Sequence, residues 1–335
     1  MDAKITKKRL GHLLSYDWIK IIAICAAVVV VWVLLFTSLA TRATKGQTFQ
    51  IYVYPGVTMQ SEKLGGLSDL HKDGVLSGDV LDYNVLQMTS GSAGTQLSAF
   101  LPNKEGDVMF INDTLPTKTV VDEETGEEKT EVTGKSDLEK FLTSYFGYAS
   151  WLGEIGNVEV YDYNLAQESY LDNCEKYLSQ FYTDEVTSEN PNQDKEKIES
   201  EFRKRIKGDK RYKKESQIKK GLEEEFVRIE NLRKAYTNVL DYLEQGIISV
   251  RTTTLELDED KDKDGKNDTV EVQYAYDLSK IEHIADLMVN TKNEESGKSD
   301  DLCMIILNEK AQEEALRFEQ ITLLDYIVRE YGDLG

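Results

Sequence analysis

The stretch LCMIILN, Leu302 to Asn308, sets six apolar residues in a row before one polar residue. A strand with one wet face alternates apolar and polar side chains. A short unbroken apolar run belongs instead to a strand covered on both faces. The stretch therefore predicts a sheet sandwiched between helices. The following EKAQEEALRFEQITLLDYIVREY (Glu309–Tyr331) carries Ala311, Ala315, Phe318, Ile321, Leu324, Ile327 and Val328 at helical spacing. That pattern predicts a closing helix with one buried face.

Partners for the strand lie far upstream. TFQIYVYPG (Thr48–Gly56), LDYNVLQM (Leu81–Met88) and GDVMFIND (Gly106–Asp113) read as strands ended by turn residues, and TQLSAFLPN (Thr95–Asn103) reads as a short helix. Strands alternating with helical pieces predict a mostly parallel sheet covered by helices. VVDEETGEEKTEV (Val120–Val132) reads as an acidic hairpin. Residues 135–247 read as a long helical middle section. Its most periodic stripe is Ile218, Leu222, Phe226, Ile229, Leu232, Tyr236, Leu240 and Leu243. SVRTTTLELD (Ser249–Asp258) and TVEVQYAYD (Thr269–Asp277) alternate as the two strands of a hairpin, and DLSKIEHIADLMV, from Asp277, reads as a helix or helical turn. The expected class is α/β.

The N-terminus has a different character. Ile21–Ala40, IIAICAAVVVVWVLLFTSLA, holds no charge, and twenty residues at helical rise span about 30 Å, the thickness of a bilayer's hydrocarbon core. Lys4, Lys7, Lys8, Arg9 and Lys20 precede it; Arg42 and Lys45 follow. The excess of basic residues on the N-terminal side predicts a single-pass protein of the cell membrane with residues 1–20 in the cytoplasm, residues 21–40 as a transmembrane helix, a tether at 41–47 and an extracytoplasmic domain at 48–335. A cleaved signal peptide ending at Ser38-Leu39-Ala40 and a buried core helix are the alternatives.

The chain carries 61 Asp and Glu against 40 Lys and Arg, a net charge of −21, with the basic excess confined to the N-terminal segment. An acidic body of this kind excludes nucleic-acid binding, which needs a basic face for the phosphates. Three cysteines, of which Cys25 lies in the apolar span, are too few for a disulfide framework. Cys174 and Cys303 would form one bridge at most.

Between the last two hairpin strands, LDEDKDKDGKNDTVEV (Leu257–Val272) has the spacing of a calcium loop. Asp260, Asp262 and Asp264 stand at positions 1, 3 and 5, Gly265 at 6, Lys266 (through its carbonyl) at 7, Asp268 at 9 and Glu271 at 12. Calcium takes six to eight hard oxygens, and alternate residues of a tight turn point inward to supply them. Both flanks read as strands rather than helices, which would leave Glu271 pointing away. The competing reading is a solvated acidic turn. As a calcium site it would be a permanent structural staple outside the cell.

Catalytic signatures do not stand out. His12, His71 and His283 are isolated, and there is no Gly-x-Ser-x-Gly elbow or phosphate-cradling glycine loop. No acid pair is singled out for glycoside hydrolysis.

The order of TFQIYVYPG, LDYNVLQMTSGSAG, GDVMFIND and the closing CMIILNEKAQEEALRFEQITLLDYI resembles the extracellular solute-binding proteins of bacterial ABC transporters, the type II periplasmic-binding fold. The resemblance covers roughly residues 48–113 and 270–331. A membrane helix in place of a lipid anchor and a charged helical middle section with Trp151 as the one tryptophan beyond the span depart from it. It implies ligand binding beyond the carboxyl ends of the strands, at Tyr54, Thr89, Ser90, Ser92, Asn112 and Asp113. It also implies a small-molecule ligand and a transporter permease or another envelope protein as partner. The expected function is binding; an envelope scaffold without a ligand cleft and a cell-surface hydrolase are the alternatives.

Overall fold

The computed structural model describes residues 11, 18–39, 43–121, 128–153, 169–256, 263, 265–292, 299–307 and 318–333. The chain divides into two compact units, Met1–Ala43 and Thr44–Gly335. In the first, α1 (Trp18–Leu39) has a mean hydropathy of 2.7 over Trp18–Leu35 and buries none of that window. It is long and apolar enough to cross a membrane.

The second unit is built on a six-stranded sheet of order β3-β1-β4-β10-β8-β7. Its strands are β1 (Thr48–Val53), β3 (Asp82–Gln87), β4 (Val108–Asn112), β7 (Ser249–Glu256), β8 (Thr269–Asp277) and β10 (Leu302–Ile306). The expected parallel character holds in one half: β1 pairs in parallel with β3 and with β4. Beyond β4 every pairing is antiparallel, β10 on β4, β10 on β8 and β8 on β7. Consecutive strands joined by a loop pair most readily as antiparallel neighbours, and β7–β8, joined through residues 257–268, is such a pair. The sheet is thus mixed, and "mostly parallel" describes only its first half.

Strand alternation sorts the core into two layers. Phe49, Ile51 and Val53, with Val108, Phe110, Leu302, Met304 and Ile306, face one layer. Tyr52, Met109, Ile111, Cys303 and Ile305 face the other. Every residue of β4 and β10 is buried, as the unbroken apolar run requires. Each such Ile or Phe contributes about 1.5–3 kcal/mol on burial.

On the second layer lie α3 (Ala93–Phe100) and α4 (Asp137–Tyr145). The first layer is covered by α2 (Leu67–Lys72), α5 (Tyr170–Leu178), α6 (Lys195–Arg205), α7 (Glu215–Glu244) and α9 (Glu319–Tyr331). Local chemistry starts three of these helices. Ser136 accepts from the Glu139 N–H, Ser169 and Asp172 form a reciprocal capping box, and Asp194 accepts from the Lys197 N–H. The stripe expected on α7 packs inward: Ile229, Leu232 and Tyr236 are buried, and Leu222, Phe226, Leu240 and Leu243 pack partly buried against the core.

Two small ladders complete the unit. β2 (Val57–Met59) pairs with β9 (Met288–Asn290), which follows the single turn α8 (Ile284–Leu287). The helix expected from Asp277 is therefore mostly turn and strand. β5 (Thr117–Val121) and β6 (Glu128–Val132) form an antiparallel arm. Neither Cys174 nor Cys303 forms a disulfide, and the two lie in different core layers, which rules out a bridge between them.

Candidate functional site

The positions implied by the resemblance gather at the carboxyl ends of β1, β3 and β4, where their polar groups mostly bond to neighbouring protein groups. Asn112 is fully buried and donates to Asp137 Oδ2 at 3.0 Å, while its own Oδ1 has no partner. The same carboxylate accepts from Lys292 Nζ at 2.5 Å. Asp113 accepts from Ser136 Oγ at 2.6 Å and lies 3.4 Å from Arg251 Nε. Burial pushes the Asp113 carboxyl up, and Ser136 and Arg251 counteract it. Tyr54 is half-buried, and burial with the nearby Asp137 and Tyr145 pushes its phenol up. Thr89 and Ser92 bond to each other at 2.8 Å ahead of α3, and Ser90 is exposed. These residues chiefly tie strand ends to α3 and α4.

The acidic hairpin tip is described in part. Asp260, Asp262 and Asp264 lie outside the described residues. Gly265 has φ +86°, the left-handed bend expected at position 6. Lys266 is exposed and Asp268 half-buried. Glu271 is an exposed residue of β8 opposite Thr254, on the strand face away from buried Val270 and Val272. It points away from the core, as alternation with Val270 and Val272 requires. Among the described residues no group of three or more His, Cys, Asp or Glu is placed to hold a metal ion.

A cavity of about 490 Å³ lies at the other end of the sheet. Ser77 and Asp79 lead into β3. Glu319 opens α9, which follows β10, and the end of β10 sits beside the start of β4, Ile306 opposite Val108. The cavity is thus at the amino ends of the parallel strands. Val75, Leu76, Phe202, Val227 and Leu232 give it apolar walls.

Its polar wall belongs to an ion network that joins the approach to β3, α6, the loop after α6, and α7. Glu225 of α7 takes two parallel hydrogen bonds from Arg205 of α6, at 3.1 and 2.8 Å, and two from Arg228, at 3.0 and 2.9 Å. Arg205 also pairs with Asp79 at 2.9 Å, and Arg211 reaches the other Asp79 oxygen at 2.8 Å. Arg228 donates to Tyr177 Oη at 2.8 Å. Burial works to raise the Glu225 carboxyl, but Arg228 and Arg205 outweigh it and hold it at about 2.

Glu319 behaves in the opposite way. It is 3 % exposed, its Oε1 accepts the Ser77 N–H at 3.2 Å, and its Oε2 has no partner. Burial pushes its carboxyl up to about 7, against the pull of Arg228. Arg205 Nε and Arg228 Nη1 are likewise buried without partners. Three unmatched polar atoms around one cavity are unusual, because buried polar groups are nearly always paired.

None of these residues follows from the sequence patterns above. The signal was present in α7. Glu225 and Arg228 lie between the stripe residues Leu222, Phe226 and Ile229, so two charges occupy core-facing positions. In a segment this dense in Lys and Glu they pass as solvated charges. Asp79 and Glu319 carry no local signal at all.

No protein-family model, no curated protein and no solved structure matches the chain.

Proposed function

We propose that this chain is a membrane-anchored, extracytoplasmic binding protein whose α/β body takes a small polar solute in the cavity between the β3 approach, α6, α7 and α9. The carrying observation is the pairing of cavity volume with wall chemistry: about 490 Å³ bounded by apolar side chains and by a buried arginine–carboxylate network. Ligand sites are concavities of about this size, mostly apolar with a few convergent polar groups. The solute-binding resemblance supplies the transporter permease as partner. The site differs from the one the resemblance implies, being at the amino rather than the carboxyl ends of the strands. The apolar helix α1 supports membrane anchoring, and the basic residues ahead of it support a cytoplasmic N-terminus. The acidic tip between β7 and β8 completes the proposal as a structural calcium site.

The test is thermal unfolding of the full chain in detergent against amino acids, oligopeptides, sugars and organic anions. A bound solute at a hundred times its dissociation constant adds about 2.7 kcal/mol of stability. At least one compound is expected to raise Tm, and Val227→Trp at the exposed cavity mouth is expected to remove that rise. No shift with any compound overturns the binding reading.

A second reading, an envelope scaffold, is favoured by the β5–β6 arm. Val121 and Val132 are 54 % and 59 % exposed on it, a surface without use in solute capture.

A further inference from the structure

The β5–β6 arm stands outside the six-stranded sheet, and β6 is exposed along its whole length. A two-stranded ribbon is marginal in water; three or more strands are needed for independent stability. Within the arm Lys118 faces Glu131, Thr119 faces Thr130 and Val120 faces Lys129. The outer edge of β6 therefore reads Glu128, Lys129, Thr130, Glu131, Val132.

A lysine in the middle of an edge strand normally blocks pairing with another chain. Here it does the reverse for one partner. If a second β6 lies antiparallel with the two Thr130 residues opposite each other, Lys129 of each copy meets Glu131 of the other. Those two residues share a face, because they are two apart. One row across the resulting four strands runs Lys118, Glu131, Lys129, Val120, with charge alternating in sign, and its symmetry mate repeats it. The opposite face gains a row of four threonines, Thr119, Thr130, Thr130, Thr119. Opposite charges and Thr–Thr pairs across strands are favourable, and like charges are not. The same construction along β5 sets Lys118 against Val120 twice and makes no ion pair. We propose that the β6 edge is a two-fold docking surface for a second copy of this chain, paired about Thr130 through reciprocal Lys129–Glu131 contacts. The interface is isologous and closes at two chains. It is independent of the solute-binding reading.

The geometry sets the test. Paired strands lie about 4.8 Å apart, so the two Thr130 Cα atoms fall within disulfide range and the two Thr119 Cα atoms, three strand spacings apart, do not. The full chain carrying Cys25→Ala is oxidised in detergent with either Thr130→Cys or Thr119→Cys. Thr130→Cys is expected to form at least tenfold more covalent dimer. Adding Lys129→Glu or Glu131→Lys to Thr130→Cys sets like charges opposite and is expected to abolish the dimer. Mixing those two differently tagged variants restores both ion pairs and is expected to yield the mixed dimer alone. Equal crosslinking at positions 119 and 130, or no recovery in the mixture, overturns the proposal.

Discussion

Arg205 grips Glu225 through two parallel hydrogen bonds, of 3.1 and 2.8 Å, across twenty residues of sequence and two different helices. The side chains are 17 % and 7 % exposed, so water does little to weaken the pair. The pair clamps α6 onto α7 and lines the cavity.

Breaking it leaves a buried carboxylate with one arginine instead of two. Arg205→Ala is expected to lower stability by about 3–5 kcal/mol, the cost of orphaning one member of a buried pair. Arg205→Lys keeps the charge but loses the fork, and recovers only part of the loss. Urea unfolding of residues 44–335 measures both; an Arg205→Ala variant within about 1 kcal/mol of the parent would contradict the clamp.

Glu319 gives the stability a pH dependence of definite sign. Its carboxyl is held at about 7 in the fold by burial. The unfolded chain releases that proton near the ordinary glutamate value, about 4.3. Between those values the folded state holds more protons than the unfolded one, so stability falls as pH rises. Asp107, which burial lifts to about 8, adds to the same trend. Glu319→Gln is expected to flatten the decline between about pH 5 and 8 by roughly 1–3 kcal/mol, because each pH unit between the folded and unfolded values is worth about 1.36 kcal/mol. Glu225 acts oppositely: its contribution is present above the unfolded glutamate value and is lost as pH falls toward about 2. Stability profiles of parent and variant at several pH values check the sign. A Gln variant that loses stability with pH as steeply as the parent speaks against the assignment.

Gly221 sits inside α7, where alanine in an open helix is better by about 1 kcal/mol. Here a Cβ would lie 2.7 Å from Phe202 Cζ and closer still to Tyr212. Gly221→Ala is expected to destabilise rather than stabilise, by about 1–3 kcal/mol, as in overpacked cores. A rise in Tm for this variant would show that α6 and its following loop yield freely.

Calcium at millimolar concentration is expected to raise the Tm of residues 44–335, and chelation to reverse the rise. Asp262→Ala with Asp264→Ala removes two of the side-chain oxygens and should abolish the response. Glu271→Ala should leave it nearly intact, because Glu271 is a strand residue opposite Thr254. A parent protein indifferent to calcium leaves the tip as a solvated turn.

Protease added to intact cells should remove the body while sparing an epitope placed at residue 1. Protection of the body, with or without loss of the epitope, overturns the proposed orientation.

The sequence by itself determined many of the local elements, though not the segment after Asp277. The strand run at Thr48–Val53, the alternating run at Thr269–Asp277, the unbroken apolar run from Leu302, the stripe on α7 and the apolar N-terminal segment all appear as helices and strands of the expected kind. These signals are legible because burial imposes the period of each element on its own residues. Only the tertiary structure decided strand direction beyond β4, and only it brought Asp79 to Arg205 and Ser77 to Glu319. Those partners lie over a hundred residues apart, and nothing in either neighbourhood announces the other. A charge in a lysine- and glutamate-rich helix looks the same whether it faces water or a buried partner, and the difference lies in what the rest of the chain packs against it.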